Sequence, residues 1–304
     1  MTLPEPLRTT LDGLLQKTRL HNLRASSESL SHHYKKNEGL STEEERLAYL
    51  AVRMPATYAA ISRVLEELPF PIHSLLDIGS GPGTALWAVR EKWPSLESAT
   101  LVEKDPFFIT LAKELGAEKA EWISQDARTL SAFPKRDLTL FSYSFGEFGT
   151  DEVIEKAWQA TEKALVCIEP GTPKGFADIL RVRTLLIEKG GYMIAPCPHQ
   201  NLCPLVSTTS WCHFAARVER SFTHRYAKSA SLGYEDEKFS YCIFSKNFYT
   251  IPHGRLLKDP ERHTGHVRLH LCAQEGLETP IYSRRHKELY KQARKARWGD
   301  RWEI

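Results

Sequence analysis

Three of the six cysteines in this 304-residue chain fall within one proline-studded segment. It reads Ala195-Pro196-Cys197-Pro198-His199-Gln200-Asn201-Leu202-Cys203-Pro204-Leu205, then Trp211-Cys212-His213-Phe214. Thiolates gathered in this way bind a metal, bridge or react. Zinc sites usually open with a tight C-x₂₋₄-C pair, so intervals of five and eight residues suit zinc only moderately. A cubane iron–sulfur cluster presents its irons at separate corners and accepts irregular spacing, which places iron–sulfur ahead of zinc. A radical enzyme would show a C-x₃-C-x₂-C triad, and the segment has none. Pro196, Pro198 and Pro204 stiffen the loop and reduce the entropy lost on coordination. His199 and His213 stand beside the cysteines as substitute ligands or, more often for such neighbours, as groups behind the ligands. Cys272 follows the strand-like His266-Val267-Arg268-Leu269-His270-Leu271 and suits a fourth ligand. Cys167 and Cys242 sit inside apolar runs and read as packing residues, with Cys242 the substitute for Cys272.

A second set of residues points to a cofactor. In Leu75-Leu76-Asp77-Ile78-Gly79-Ser80-Gly81-Pro82-Gly83-Thr84, a strand gives way to a helix through three glycines. Glycines there let backbone approach a ligand, and the helix start offers free N–H groups. No Gly-Lys-Ser/Thr follows, so this is not a P-loop. Thr84 stands where the dinucleotide fingerprint needs a third small residue. The loop resembles motif I of class I S-adenosylmethionine-dependent methyltransferases. Asp77, Gly79, Ser80, Gly81, Gly83 and Thr84 would then cradle S-adenosylmethionine. Glu103, ending Thr100-Leu101-Val102-Glu103, would accept the ribose hydroxyls, and Asp126 would reach adenine. Catalytic residues are less legible. Tyr143-Ser144-Phe145-Gly146-Glu147-Phe148 lacks the Asn/Asp-Pro-Pro-aromatic motif of amino-group methyltransferases and the cysteine that cytosine C5 methylation requires. Tyr143 and Glu147 are the nearest acid–base or positioning candidates, and their plainer reading is a strand-end aromatic and a solvated carboxylate.

The elements that must carry these residues follow from the apolar pattern. Ser74–Ile78, Ala99–Glu103, Ala120–Ser124, Leu138–Tyr143 and Ala164–Glu169 read as strands. Thr84–Trp93, Pro106–Leu115, Val153–Glu162 and Pro173–Lys189 read as helices between and after them. Such alternation predicts an α/β fold with a parallel sheet covered on both faces. Residues 1–70 read as a helical extension. Ser41-Thr42-Glu43-Glu44 suggests a capping box, and Pro55 is expected to break or restart the helix behind it. Residues 71–190 form the cofactor-binding Rossmann-like core. Residues 191–304 hold the cysteine-rich metal-binding insertion, edge strands (Phe239–Ser245 and Val267–Leu271) and a basic C-terminal helix.

Composition sets the remaining bounds. A hydrophobic share of 41% with 26% charged residues describes a soluble globular chain with an ample core. No apolar run has membrane-spanning length. Met1-Thr2-Leu3-Pro4-Glu5-Pro6 resembles neither a secretory signal nor a transit peptide, which leads to the expectation of a reducing cytoplasm, where clustered cysteines mean metal or catalysis. A net charge of +3 is undiagnostic, but its distribution is not. Arg284, Arg285, Lys287, Lys291, Arg294, Lys295 and Arg297 crowd the C-terminal stretch, with Tyr290 and Trp298 interleaved. The pattern fits a solvated helix or a surface that follows phosphates and stacks bases. Arg217, Arg220 and Arg225 lie near the cysteines in sequence and could join it or offset thiolate charge.

Together these features resemble the methyltransferase-like family of small-ribosomal-subunit assembly factors, the Rsm-twenty-two type of bacteria and mitochondria. The likeness is carried by Asp77 to Thr84, Glu169-Pro170-Gly171-Thr172-Pro173, the Cys197, Cys203 and Cys212 segments, Lys238-Phe239-Ser240-Tyr241, Arg53-Met54-Pro55-Ala56-Thr57-Tyr58 and Trp298-Gly299-Asp300. The resemblance implies a class I methyltransferase fold binding S-adenosylmethionine and a 4Fe–4S cluster on Cys197, Cys203, Cys212 and Cys272. It implies small-subunit rRNA as partner. With nothing resembling a mitochondrial targeting segment ahead of the domain, a bacterial cytoplasmic member is the expectation, and a monomer is expected too. The alternative is an active rRNA methyltransferase with a structural zinc or iron–sulfur site.

Overall fold

The computed structural model describes residues 1–16, 22–27 and 42–303. The chain forms two compact units, Met1–Glu162 with Ala216–Glu237, and Lys163–Ala215 with Lys238–Ile304. Both are discontinuous, so the three consecutive segments drawn from the sequence do not coincide with them.

The first unit is built on a parallel sheet. Strand β1 (Ser74–Ile78) pairs with β2 (Ser98–Val102) on one side and β4 (Arg136–Ser142) on the other, and β3 (Glu121–Ile123) lies outside β2. The inner strands are nearly continuous buried runs, as expected when helices cover both faces. Helices α1 (Glu5–Gln16), α2 (Glu43–Leu65), α3 (Thr84–Lys92), α4 (Pro106–Ala112) and α5 (Asp151–Ala160) belong to this unit, with a further helical stretch at 22–27. Helix α2 starts at Thr42, whose side chain accepts from Glu45 N while Glu45 reaches back to Thr42 N. The capping box therefore falls one residue later than the sequence suggests, and Ser41 lies outside the described residues. Pro55 sits inside α2 without ending it. Fifteen of the helix's residues are buried, and that packing outweighs the lost backbone hydrogen bond. Helix α4 is capped by Asp105, which also pairs with Arg46 of α2 at 2.8 Å.

The second unit opens on β5 (Thr161–Pro170), whose first two residues belong to the first unit. Helix α6 (Pro173–Glu188) follows, then β6 (Tyr192–Ala195), β7 (Phe214–Glu219), α7 (Phe222–Ala227) and β8 (Tyr234–Ser245). The division of the chain crosses β7 and β8, leaving α7 in the first unit. Strand β8 runs antiparallel to both β5 and β6 and lies between them. The Phe239–Ser245 run, expected at a sheet edge, is thus flanked on both sides. Its seven residues are all buried, which an edge would not require.

The Val267–Leu271 run is not one strand. It divides between β11 (His266–Arg268), paired with β10 (Glu261–His263) and β14 (Ile281–Ser283), and β12 (Leu271–Ala273). Strand β12 lies between β9 (Gly254–Leu256) and β13 (Gly276–Glu278), and β15 (Arg301–Trp302) closes that sheet. Helix α8 (Lys287–Lys295) buries Ala293 against Leu256, Val267, Leu271 and Trp302.

Candidate functional site

The glycine loop joins β1 to α3 in the first unit. Gly79, Gly81 and Gly83 all have positive φ (72°, 51° and 76°), which L side chains adopt only at a cost. A Cβ on Gly79 would lie 2.6 Å from Ser144 Cβ, whereas one on Gly81 would meet nothing within 4 Å. Gly81 therefore faces open space where a ligand's backbone contacts would form. Asp77 is fully buried and neither carboxylate oxygen has a partner; Ser80 Oγ and Thr84 Oγ1 are likewise buried and unpartnered. Burial, then the charge of Glu103, pushes the Asp77 carboxyl up to about 8. Glu103 accepts from Gly81 N and Asp105 N, each at 2.8 Å, and burial still holds it above the usual carboxylate range. A carboxylate so engaged keeps lone pairs for ribose hydroxyls. Asp126 is taken by its neighbour: Arg128 grips it at 3.0 and 2.6 Å and lowers it to about 2.

At the end of β4, Tyr143 stands at φ 57°, an uncommon conformation for a bulky residue. Its hydroxyl donates to Glu237 at 3.0 Å, and Arg53 holds the same carboxylate through two bonds of 3.0 and 3.3 Å. The Arg53 guanidinium lies 5.7 Å from the Tyr143 ring. No local pattern marks Arg53 and Glu237 as partners, because they are 184 residues apart. Glu147 is exposed on the helical turn Phe145–Phe148.

All four sequence-selected thiols line one cavity of the second unit. They come from separate places: Cys197 and Cys203 from the loop after β6, Cys212 from the approach to β7, and Cys272 from β12. Electrostatic action links the four: Cys197 acts on Cys203, Cys212 and Cys272, Cys203 on Cys212 and Cys272, and Cys272 on Cys212. Burial, then these neighbours, pushes Cys272 up to about 12 and Cys212 well above an ordinary thiol. Cys242 also touches the cavity, but of these four thiols it senses only Cys197, and it pairs across strands with Cys167. Among the described residues no three His, Cys, Asp or Glu side chains converge closely enough to hold a single metal ion.

The frame of this cavity was only partly legible. His199 is buried with Nε2 3.5 Å from Cys272 Sγ. The His213 ring stacks on Trp211 and meets Trp298 edge-on, so Trp298 packs against the residue that follows Cys212. Trp211 Nε1 donates to Gly171 O, and Ser240 Oγ donates to Cys212 O. Two buried arginines also line the cavity. Arg183 Nη2 donates to the carbonyls of His199 and Asn201, and Arg255 donates to those of Pro196 and Gly299. Arg183 had a signal in the sequence, since it falls at helical spacing with Phe176, Ile179 and Leu186. Arg217 and Arg220, chosen for their closeness in sequence, belong to the first unit and pair with Asp236 and Glu235.

The seven C-terminal cations are all exposed. Arg284 and Arg285 lie on a single turn before α8, and Arg297 lies just beyond it. Lys291 pairs with Glu288, and Arg294 bonds Tyr290 Oη at 3.3 Å. Tyr290 packs partly against the core beneath α8.

The model of the family described as "Mitochondrial small ribosomal subunit Rsm22" matches residues 43–303. The chain belongs to the Rsm22 family. It is 29% identical to the human mitochondrial ribosome assembly protein METTL17, over 97% of this chain and 68% of that protein. It is 24% identical to the mitochondrial Rsm22-cox11 tandem protein 2 of Schizosaccharomyces pombe, over 85% of this chain and 43% of that protein. The expectation of a cytoplasmic protein is overturned by these matches, because the family description and both relatives are mitochondrial by name. The α/β half of this chain is Rossmann-like, as the order β3-β2-β1-β4 and the glycine turn after β1 describe. Among solved structures, the plantazolicin methyltransferase BpumL with a substrate analogue and SAH aligns at TM-score 0.43 and 11% identity, over 77% of this chain and 100% of that one. The magnesium protoporphyrin IX methyltransferase of Synechocystis with bound SAM aligns at 0.42 and 10%, over 71% and 90%. At such scores neither adds weight to an assignment.

Proposed function

We propose that this Rsm22-family chain is an S-adenosylmethionine-binding, iron–sulfur-containing ribosome assembly protein acting on small-subunit rRNA. The observation that carries the reading is the convergence of Cys197, Cys203, Cys212 and Cys272 on one cavity. Four thiols from distant segments fit a soft metal group by donor chemistry. The irregular intervals of five and eight residues between Cys197, Cys203 and Cys212 favour a 4Fe–4S cluster, which binds each sulfur at a different corner, over zinc, whose sites usually open with a tight pair. Cys272 is the better fourth ligand, since both Cys197 and Cys203 act on it, whereas of these thiols Cys242 senses Cys197 alone. When bound, the cluster supplies a structural staple for the loop and a one-electron centre. The chain's own residues place the thiols, screen them from water and offset their charge.

In the first unit, Asp77, Ser80 and Thr84 present unpartnered oxygens and Gly81 presents open space, which together suit a cationic, hydroxyl-bearing cofactor. The seven exposed cations around α8 support phosphate contacts with rRNA. Purification without oxygen, followed by iron, sulfide and zinc analysis, tests the metal reading. About four irons and four sulfides with absorption near 400 nm are expected; metal-free protein would sink it. Salt-sensitive co-sedimentation with small subunits tests the RNA reading, and its absence would remove that part.

A second reading, an active rRNA methyltransferase, draws on the intact glycine loop and on Tyr143 held at positive φ by Glu237 and Arg53. Transfer of a labelled methyl group to assembling subunits, lost on Tyr143→Phe while cofactor binding persists, would favour it. Unchanged transfer would exclude Tyr143 from the chemistry.

A further inference from the structure

Arg183 occupies an unusual position for a cation. It lies on the inner face of α6, only 5% exposed, beside Val182 and Leu186. Its Nη2 is spent on two carbonyls, at 3.1 Å (His199) and 2.7 Å (Asn201), and its Nε has no partner. No carboxylate pairs with it among the described residues. A guanidinium keeps its proton under all ordinary conditions, so a full positive charge is buried against dipoles alone. Buried charges without an opposite charge are strongly destabilising, and natural proteins rarely leave them so.

What Arg183 faces is the thiol cavity. From the loop after β6 come Cys197, Cys203 and His199, from the approach to β7 Cys212, from β12 Cys272, from β8 Cys242 and from β9 Arg255. As neutral thiols the cysteines offer the guanidinium no counter-charge, and Arg255 adds a second cation. Four thiolates around a divalent group, whether a zinc ion or an oxidised 4Fe–4S core, carry a net charge of two minus. The geometry points to Arg183 as the buried counter-cation of the loaded thiolate site. It is a positioning residue that touches no metal, stabilises the charged form of the cavity and destabilises the empty one. The inference rests on the metal reading above.

The test compares the full-length wild-type chain with Arg183→Met and Arg183→Lys, each stripped by chelator under reductant and then reloaded anaerobically, with zinc alone or with iron and sulfide. Melting temperature is read in both states, and zinc affinity by competition with a chromogenic chelator. Stripped Arg183→Met is expected to melt at or above stripped wild type, while the loaded variant melts below loaded wild type. Its zinc affinity should fall about 10–100-fold, the range for residues behind metal ligands. Arg183→Lys should recover most of that affinity, because it keeps the charge while losing the fork that bridges two carbonyls. Equal destabilisation of both states, or a lysine variant as impaired as methionine, would make Arg183 a carbonyl tether and overturn the inference. So would loaded Arg183→Met that matches wild type in affinity and melting. A wild-type chain that takes up neither zinc nor iron would overturn the metal reading itself, and this inference with it.

Discussion

Replacing Asp77 by asparagine should stabilise the cofactor-free chain by an amount that grows with pH. Asp77 is fully buried with both oxygens unpartnered, and its carboxyl titrates near 8. In the unfolded chain it titrates near 3.9. Between those values the folded state holds a proton that the unfolded state has released, so stability falls as pH rises through the window. At about 1.4 kcal/mol per pH unit, the penalty is on the order of 1–2 kcal/mol at pH 5 and roughly 5 kcal/mol near pH 8. Asparagine keeps the shape of the side chain and does not titrate. Glu103 and the histidines titrate in both proteins and largely cancel from the difference. Urea unfolding of both proteins without cofactor, at several pH values from 4.5 to 9, measures the gap directly. It should be small at pH 4.5, widen steadily and level off above pH 8. A gap that is constant with pH, or an asparagine variant less stable at pH 8, would refute the argument that burial holds Asp77 protonated.

Gly81→Ala should cost about 1–2 kcal/mol of stability, because φ is 51° there, and should weaken S-adenosylmethionine binding by more than stability alone explains, since the new methyl enters open space. Calorimetry with the folded variant checks it, and unaltered affinity would count against the loop as the cofactor cradle. Cys212→Ser or Cys272→Ser should abolish cluster retention while Cys242→Ser keeps most of the iron; elemental analysis of the three variants decides the fourth ligand. Reversing Lys287, Lys295 and Arg297 to glutamate should weaken binding to small-subunit rRNA and flatten its salt dependence by roughly one log unit per lost phosphate contact. An unchanged slope would assign those exposed cations to solvent.

The local features are legible in the order of the residues. The β1 strand and the start of α3 fall where the apolar run and the three glycines put them, because a parallel strand buried on both faces reads as an uninterrupted apolar stretch. The turn after β1 needed positive φ at three residues, and only glycine supplies that freely. The crowding of Cys197, Cys203 and Cys212 was equally plain, since it is a matter of spacing. Tertiary structure decided what spacing cannot carry. Pro55 remains inside α2 because fifteen buried residues hold the helix against the missing bond. Strand β8 lies between β5 and β6 because two long-range pairings, invisible to periodicity, place it there. Cys272 joined three thiols some sixty or more residues earlier, while Cys242, nearer in sequence, lies opposite Cys167 in the β5–β8 pair. Arg183 became a cavity residue only when α6 packed its apolar face inward, since a local pattern fixes which residues share a face but not what that face will meet.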